Sequence, residues 1–230
     1  SDSTLPALGV LMSTHIIVGV SRGIGLQLAQ QLHARGERVV AVCRTPNDAL
    51  APFARTISGV DVTQPAAVQT LAEALPEEQI DTLWLVAGLL QSSSLATPDF
   101  EACQRMFEVN SLGPLRVVAA LRDQLGAGTK VALVTSRMGS MGDNSSGGSY
   151  GYRMSKAALN AAGVSMTVDL KPAGVAVALL HPGWVRTDMT SGRGLVDADE
   201  SAAGLIARTD ALTLESSGGF WHMNGETLRW

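Results

Sequence analysis

The chain has 230 residues, of which 46% are apolar and 17% charged, and its formal net charge is −4. This is a globular chain with material for one large domain or two small ones, and the absence of a basic cluster argues against nucleic acid or an anionic membrane surface as partner. The two cysteines, Cys43 and Cys103, have neither metal-ligand spacing nor a disulfide framework, which fits a reducing cytoplasm, and no run of about 20 apolar residues is present to span a membrane.

Residues 1–11 lack the basic start of a signal peptide and read as an extension or an expression remnant ahead of a domain at 12–230. In chain order, apolar β-branched runs predict strands over His15–Val20, Arg38–Cys43, Thr56–Gly59, Thr82–Val86, Lys130–Thr135 and Val175–His181, with a short last one over Gly219–His222. Between them the patterns predict helices over Ile24–Arg35, Ala66–Leu75, Phe100–Leu125, Tyr150–Leu170 and Asp199–Leu212. In the first helix Ile24, Leu28 and Leu32 repeat at helical spacing, and Gly36 follows as a stop signal. Alternating strands and helices predict an α/β fold, a single doubly wound Rossmann-type domain with a parallel sheet covered on both faces. Gly139–Gly148 and Thr190–Asp197, rich in Gly, Ser and Asp, are expected to be loose.

Between the first strand and first helix stands Gly19-Val20-Ser21-Arg22-Gly23-Ile24-Gly25. Glycines let a backbone approach a phosphate, and a helix N-terminus offers N–H donors and partial positive charge. The same glycines would also serve a plain tight turn. A NAD site usually carries an acid at the end of the second strand, where this chain has Cys43 followed by Arg44. Arg44 and Arg22 together would bind a 2′-phosphate bidentately, which favours NADP(H) over NAD, although single arginines are often only surface charges. Asp61-Val62 follows the third strand, and Asp61 is placed either to accept from an adenine amino group or to serve the turn before the next helix.

Tyr152 and Lys156 are spaced i, i+4 on a predicted helix and so share a face. Bringing a tyrosine from about 10 to near 7 takes roughly 4 kcal/mol. A positive charge at about 4 Å supplies on the order of that at an effective dielectric near 20, so Lys156 and an oxidised nicotinamide ring would supply the shift between them. Tyr152 would then pass a proton to or from a substrate oxygen, with Ser136, at the end of the fifth strand, hydrogen-bonding the same oxygen. Tyr150 has Met154 four residues on, so the spacing selects Tyr152.

With these motifs the chain resembles the short-chain dehydrogenase/reductase family over essentially all of residues 12–230. The resemblance rests on the glycine turn, Asp61-Val62, Ala87-Gly88, Val109-Asn110, Thr135-Ser136, Tyr152 with Lys156, and Pro182-Gly183 with Val185 and Thr187. The stretches Ser136–Ser140 and His181–Met189 resemble the sniffer-type and C-factor-like carbonyl reductases. The resemblance implies a sheet of about seven strands and NADPH-dependent, reversible reduction of an aldehyde or ketone. It also implies that Asn110 holds a water on Lys156, that Ile24 packs near a nicotinamide, that Thr187 binds its carboxamide, and that the two long helices pair subunits into a dimer or tetramer. Two positions depart from the pattern: the family's asparagine pair is Leu85-Val86 here, so packing or water must replace a polar tie, and Val18 stands for the usual Thr.

Two other readings compete. The turn also matches G-x-S-x-G, with Ser21 as a hydrolase nucleophile and His181 or His222 as base. A sensor that binds NADPH without turning over would not need the Ser-Tyr-Lys-Asn set. Met138, Met141, Trp184 and Met189 are candidates for an apolar substrate wall.

Overall fold

The computed structural model describes residues 12–75 and 79–230; the reading of residues 1–11 lies outside them. The elements follow in order as β1 (Thr14–Val18), α1 (Gly23–Ala34), β2 (Arg38–Val42), β3 (Arg55–Ile57), α2 (Pro65–Ala74), β4 (Thr82–Leu85), α3 (Phe100–Phe107), α4 (Gly113–Leu121), β5 (Lys130–Val134), α5 (Tyr150–Leu170), β6 (Ala176–His181), β7 (Val185–Arg186), β8 (Val196–Asp197), α6 (Ala198–Ala211) and β9 (Phe220–His222). Seven strands form one parallel sheet in the order β3-β2-β1-β4-β5-β6-β9, while β7 and β8 form a small ladder of their own.

The apolar runs become strands because the sheet is covered on both faces, so successive side chains are all buried. Ile16 and Val18 of β1 and Val131 and Leu133 of β5 pack under α2, α4 and α5 with Leu71, Val117 and Leu159. Ile17 of β1 and Ala132 and Val134 of β5 face the other way, under α1 and α6, with Leu28, Leu32 and Leu205. Leu85, at the place of a family asparagine, is buried in the first of these cores, and Val86 packs against the second. Packing has therefore replaced the polar tie.

Several boundaries depart from the sequence reading. The first strand ends at Val18, two residues early, because Gly19 turns the chain with φ +96°. The single helix expected over Phe100–Leu125 is α3, a π turn over Glu108–Leu112, α4, and a final 3-10 turn over Arg122–Gln124. Pro114 is the reason: it has no N–H to donate and its ring crowds the carbonyl four residues back, so the ladder must be rebuilt there. Neither stretch expected to be loose is free. Thr190–Asp197 is held by the β7–β8 ladder, and Gly142 N, inside 139–148, donates to Trp230 O at 2.8 Å.

Candidate active site

The C-terminal ends of a parallel sheet open where the strand order reverses, here between β1 and β4. The glycine turn lies at that point. Gly19 N donates to Val42 O at 3.0 Å, and a Cβ on Gly19 would collide with the Ala87 backbone, while one on Gly25 would collide with Gly19 O. Only glycine lets the turn fold this tightly beneath the start of α1. Thr187 closes the turn from the far side: its Cγ2 is 3.6 Å from where a Cβ on Gly23 would stand. It is also the cap of a 3-10 turn over Asp188–Thr190. Pro182 and Gly183 follow β6, and Val185 is buried at the start of β7.

Arg22 and Arg44 are both exposed, one at the N-cap of α1 and the other just past β2. The loop after Arg44 is pinned to the glycine turn, with Asn47 Nδ2 donating to Ser21 O at 3.0 Å and Ser21 Oγ donating to Thr45 O at 3.4 Å. Sequence reasoning missed Thr45 and Asn47; an Asn immediately before a short turn, as its cap, was the available signal. Asp61 is engaged in its own turn: Oδ1 accepts from Thr63 N at 2.9 Å and from Thr63 Oγ1 at 2.8 Å. These bonds, more than the nearby Arg44, hold its carboxyl below the usual carboxylate range. Val62 is buried against Gly113 at the start of α4.

The second half of the site is built on β5 and α5. Ser136 caps a 3-10 turn over Arg137–Gly139, its Oγ accepting from Met138 N at 3.0 Å. Gly139 presses this turn onto α5, where a Cβ would stand 2.8 Å from Lys156 C. Lys156 is 4% exposed, its Nζ donates to Val134 O at 3.1 Å and lies 5.8 Å from the Tyr152 ring centroid. Burial brings this ammonium down to about 8, so it is largely protonated at neutral pH. Tyr150, by contrast, is exposed.

The expected lowering of the Tyr152 phenol is assigned to Lys156 and an oxidised nicotinamide together; the protein's own groups act in the other direction. Burial pushes the phenol up, and only the Ser136 hydroxyl opposes it. The Lys156 ammonium donates to the Val134 carbonyl, and removal from water is the larger influence on the phenol. The phenol is thus protonated at neutral pH, the form a proton donor needs.

Asn110 sits fully buried in the π turn. Its amide accepts from Leu89 N at 2.8 Å and donates to Leu89 O at 2.8 Å and to Ser155 Oγ at 2.9 Å. Ser155 Oγ donates on to Tyr152 O at 2.8 Å, and Ser111 Oγ donates to Ser155 O at 2.6 Å. Ser155 and Ser111 were not singled out in the sequence, since a buried serine inside a helix carries no periodic signal. A Cβ on Gly88 would stand 3.6 Å from Asn110 Oδ1, 3.7 Å from Met189 Cε and 3.8 Å from Lys156 Nζ. Gly88 is therefore where Ala87-Gly88, Asn110, Lys156 and the loop after β6 converge.

The short chain dehydrogenase family model matches residues 13–195. The chain belongs to this family. Among curated relatives of this short chain dehydrogenase, 1-hydroxy-2-glutathionyl-2-methyl-3-butene dehydrogenase of Rhodococcus sp. (strain AD45) is 44% identical over 226 residues, 95% of this chain and 100% of that one. Among solved structures, the carbonyl reductase Sniffer of D. melanogaster superposes with a TM-score of 0.87 at 26% identity, covering 95% of this chain and 100% of that one. A carbonyl reductase from Pseudomonas aeruginosa PAO1 in complex with NADP gives a TM-score of 0.82 at 32% identity, with the same coverage.

The hydrolase reading has no support in this geometry. Ser21 lies past β1, while His181 ends β6, three strands away and so about 14 Å across the sheet. Among the described residues no helix is long and apolar enough to cross a membrane, and no group of three or more His, Cys, Asp or Glu stands together as a metal site.

Proposed function

We propose that this short chain dehydrogenase reduces an aldehyde or ketone to an alcohol, reversibly, with NADP(H), using one domain over residues 12–230. The observation that carries the reading is the meeting of a glycine turn with no room for a side chain at Gly19 or Gly25 with buried Ser136 and Lys156 and half-buried Tyr152 at the same end of one sheet. NADP fits the residues present: Arg22 and Arg44 are exposed beside the turn with Cys43 where an acid would repel a 2′-phosphate, and α1 has no acidic residue in its first turn. The NADP-bound Pseudomonas neighbour supports the same choice.

A bound nicotinamide supplies or accepts the hydride. Tyr152 donates the proton to the carbonyl oxygen in reduction and accepts it in alcohol oxidation, the direction for which the Rhodococcus relative is named. Ser136 orients that oxygen. Lys156, with donors to spare beyond its bond to Val134 O, holds ribose hydroxyls and returns the proton to Tyr152. Asn110 fixes the loop at Leu89 and, through Ser155, the first turn of α5. Gly19, Ser21, Arg22, Gly23, Ile24, Gly25 and Arg44 cradle the adenosine phosphates and pyrophosphate, with Asp61 and Val62 at the adenine. Ala87, Gly88, Pro182, Gly183, Val185 and Thr187 line the nicotinamide side. Met189, whose Cε lies beside Gly88, and exposed Trp184 after Gly183 favour a substrate with an apolar body. Exposed Phe100, Phe107, Val164 and Val168 on and beside α3 and α5 support pairing of two copies.

The test is loss of NADPH absorbance with a panel of aldehydes and ketones. Turnover should require NADPH, rise with the apolar bulk of the carbonyl substrate, and disappear in Lys156→Met together with much of the NADPH affinity. Tight NADPH binding with no turnover on any carbonyl would favour the sensor reading instead.

A further inference from the structure

Arg137, next to Ser136, has a guanidinium that the proposed chemistry does not use. Its Nη2 donates to Glu226 at 2.9 Å, and its Nε stands 3.2 Å from Asp143 Oδ2. Asp143 belongs to the loop between Ser136 and Tyr152, and Glu226 to the turn after β9. The same two segments meet again at Gly142 N and Trp230 O, 2.8 Å apart. The segment beyond β9 is itself fixed. His222 N donates to Glu226 O and Leu228 N to Phe220 O, each at 2.8 Å, and the Trp230 ring stacks on Phe220 with centroids 5.2 Å apart. A line of contacts therefore runs from the edge strand to the residue that follows Ser136.

We infer that Arg137 is a positioning residue: held between Asp143 and Glu226, it docks the Ser136 turn on the hairpin after β9 and so aims the Ser136 hydroxyl. The carrier of Ser136 is one 3-10 turn, whose internal bonds fix its shape but not its tilt against the sheet. Gly139 against α5 fixes one side of it, and Arg137 fixes the other. The side chains of Arg137, Asp143 and Glu226 are 39%, 46% and 56% exposed, and ion pairs this open add little to stability. Their effect belongs to alignment, where a shift of about 1 Å costs on the order of 100-fold in rate.

The inference rests on the reading that Ser136 holds the substrate oxygen, and one set of variants separates the two. Arg137→Gln should lower kcat about 10-fold, with NADPH affinity within about 2-fold of wild type, and Arg137→Lys should restore most of the loss. Glu226→Gln and Asp143→Asn should lose less, in the same direction, and they carry the test if Arg137→Gln does not fold. In a Ser136→Ala background, Arg137→Gln should add almost nothing, since the group it aims is gone. An inactive Ser136→Ala beside a fully active Arg137→Gln overturns the inference alone, as does a full additional loss in the double variant. Wild-type turnover in Ser136→Ala overturns the reading of Ser136 and this inference with it.

Discussion

The two edges of the same sheet are built on opposite principles. At the edge where the strands begin, charges close on one another. His15 pairs with Glu37 and accepts from Trp84 Nε1 at 3.2 Å, Arg35 joins Glu37 at 2.6 Å and Asp210 at 2.9 Å, and Lys130 Nζ donates to Thr209 O at 2.7 Å. At the edge where the strands end, polar groups are buried with fewer partners. Among the described residues Lys156 Nζ has one carbonyl, His181 Nδ1 and Asn160 Nδ2 have none, and the Tyr152 phenol is held up by burial. The first arrangement ties the elements together; the second costs stability, a cost that clusters at functional sites.

The comparison can be broken most forcefully at Tyr152. Tyr152→Phe removes the phenolic hydroxyl and leaves the ring, so kcat should fall about 100- to 10,000-fold while NADPH binding and melting temperature stay near wild type. Retention of a tenth of the activity would show that Tyr152 is not the donor. Next comes Arg44. Arg44→Asp should invert cofactor preference, losing about 10- to 150-fold in NADPH affinity before repulsion is counted. The ratio of kcat/KM with NADPH to that with NADH is the measurement, and an unchanged ratio would reduce Arg44 to a surface charge.

Much of this was legible in the sequence, for a physical reason in each case. Strands buried on both faces must be continuously apolar, so Val39–Val42 and Val131–Val134 announced themselves. Tyr152 and Lys156 lie one turn apart on one helix, and that spacing is local. The Asn110 network, the Gly142–Trp230 bond and the Arg137 clamp were not legible, because each joins residues far apart in the chain and only the fold sets their distance. The π turn was hidden for a different reason: it leaves the apolar pattern nearly helical, and Pro114 was its one outward sign.

The smaller predictions sharpen the comparison through stability. Burial and the nearby His222, Arg137 and Lys156 hold the His181 imidazole down to about 3. The unfolded chain takes up that proton near pH 6.5. Its share of stability is therefore intact above pH 6.5 and falls as the pH drops toward 3, by at most about 1.4 kcal/mol per unit. His181→Asn should flatten the acid limb of a melting-temperature profile; an unchanged limb would mean that another group governs acid unfolding. At the opposite edge Glu37→Gln should cost about 1 to 2 kcal/mol in urea unfolding and leave kcat alone. A loss of turnover there would show that the two edges are not separable.

The π turn over Glu108–Leu112 also bears on how the gene tolerates changes in length. A wider turn holds an extra residue, so deleting one residue from this stretch offers the chain a regular α-helix in exchange. The helices on either side, α3 and α4, would keep their facing, but the widened turn would close and the residues inside it, Asn110 among them, would be displaced. Asn110 would then part from Leu89 and Ser155, and the loop at Gly88 would lose its anchor. The shortened protein would carry a more regular helix and a disabled active site, so single-residue deletions here should be selected against even where substitutions at the exposed positions nearby are accepted.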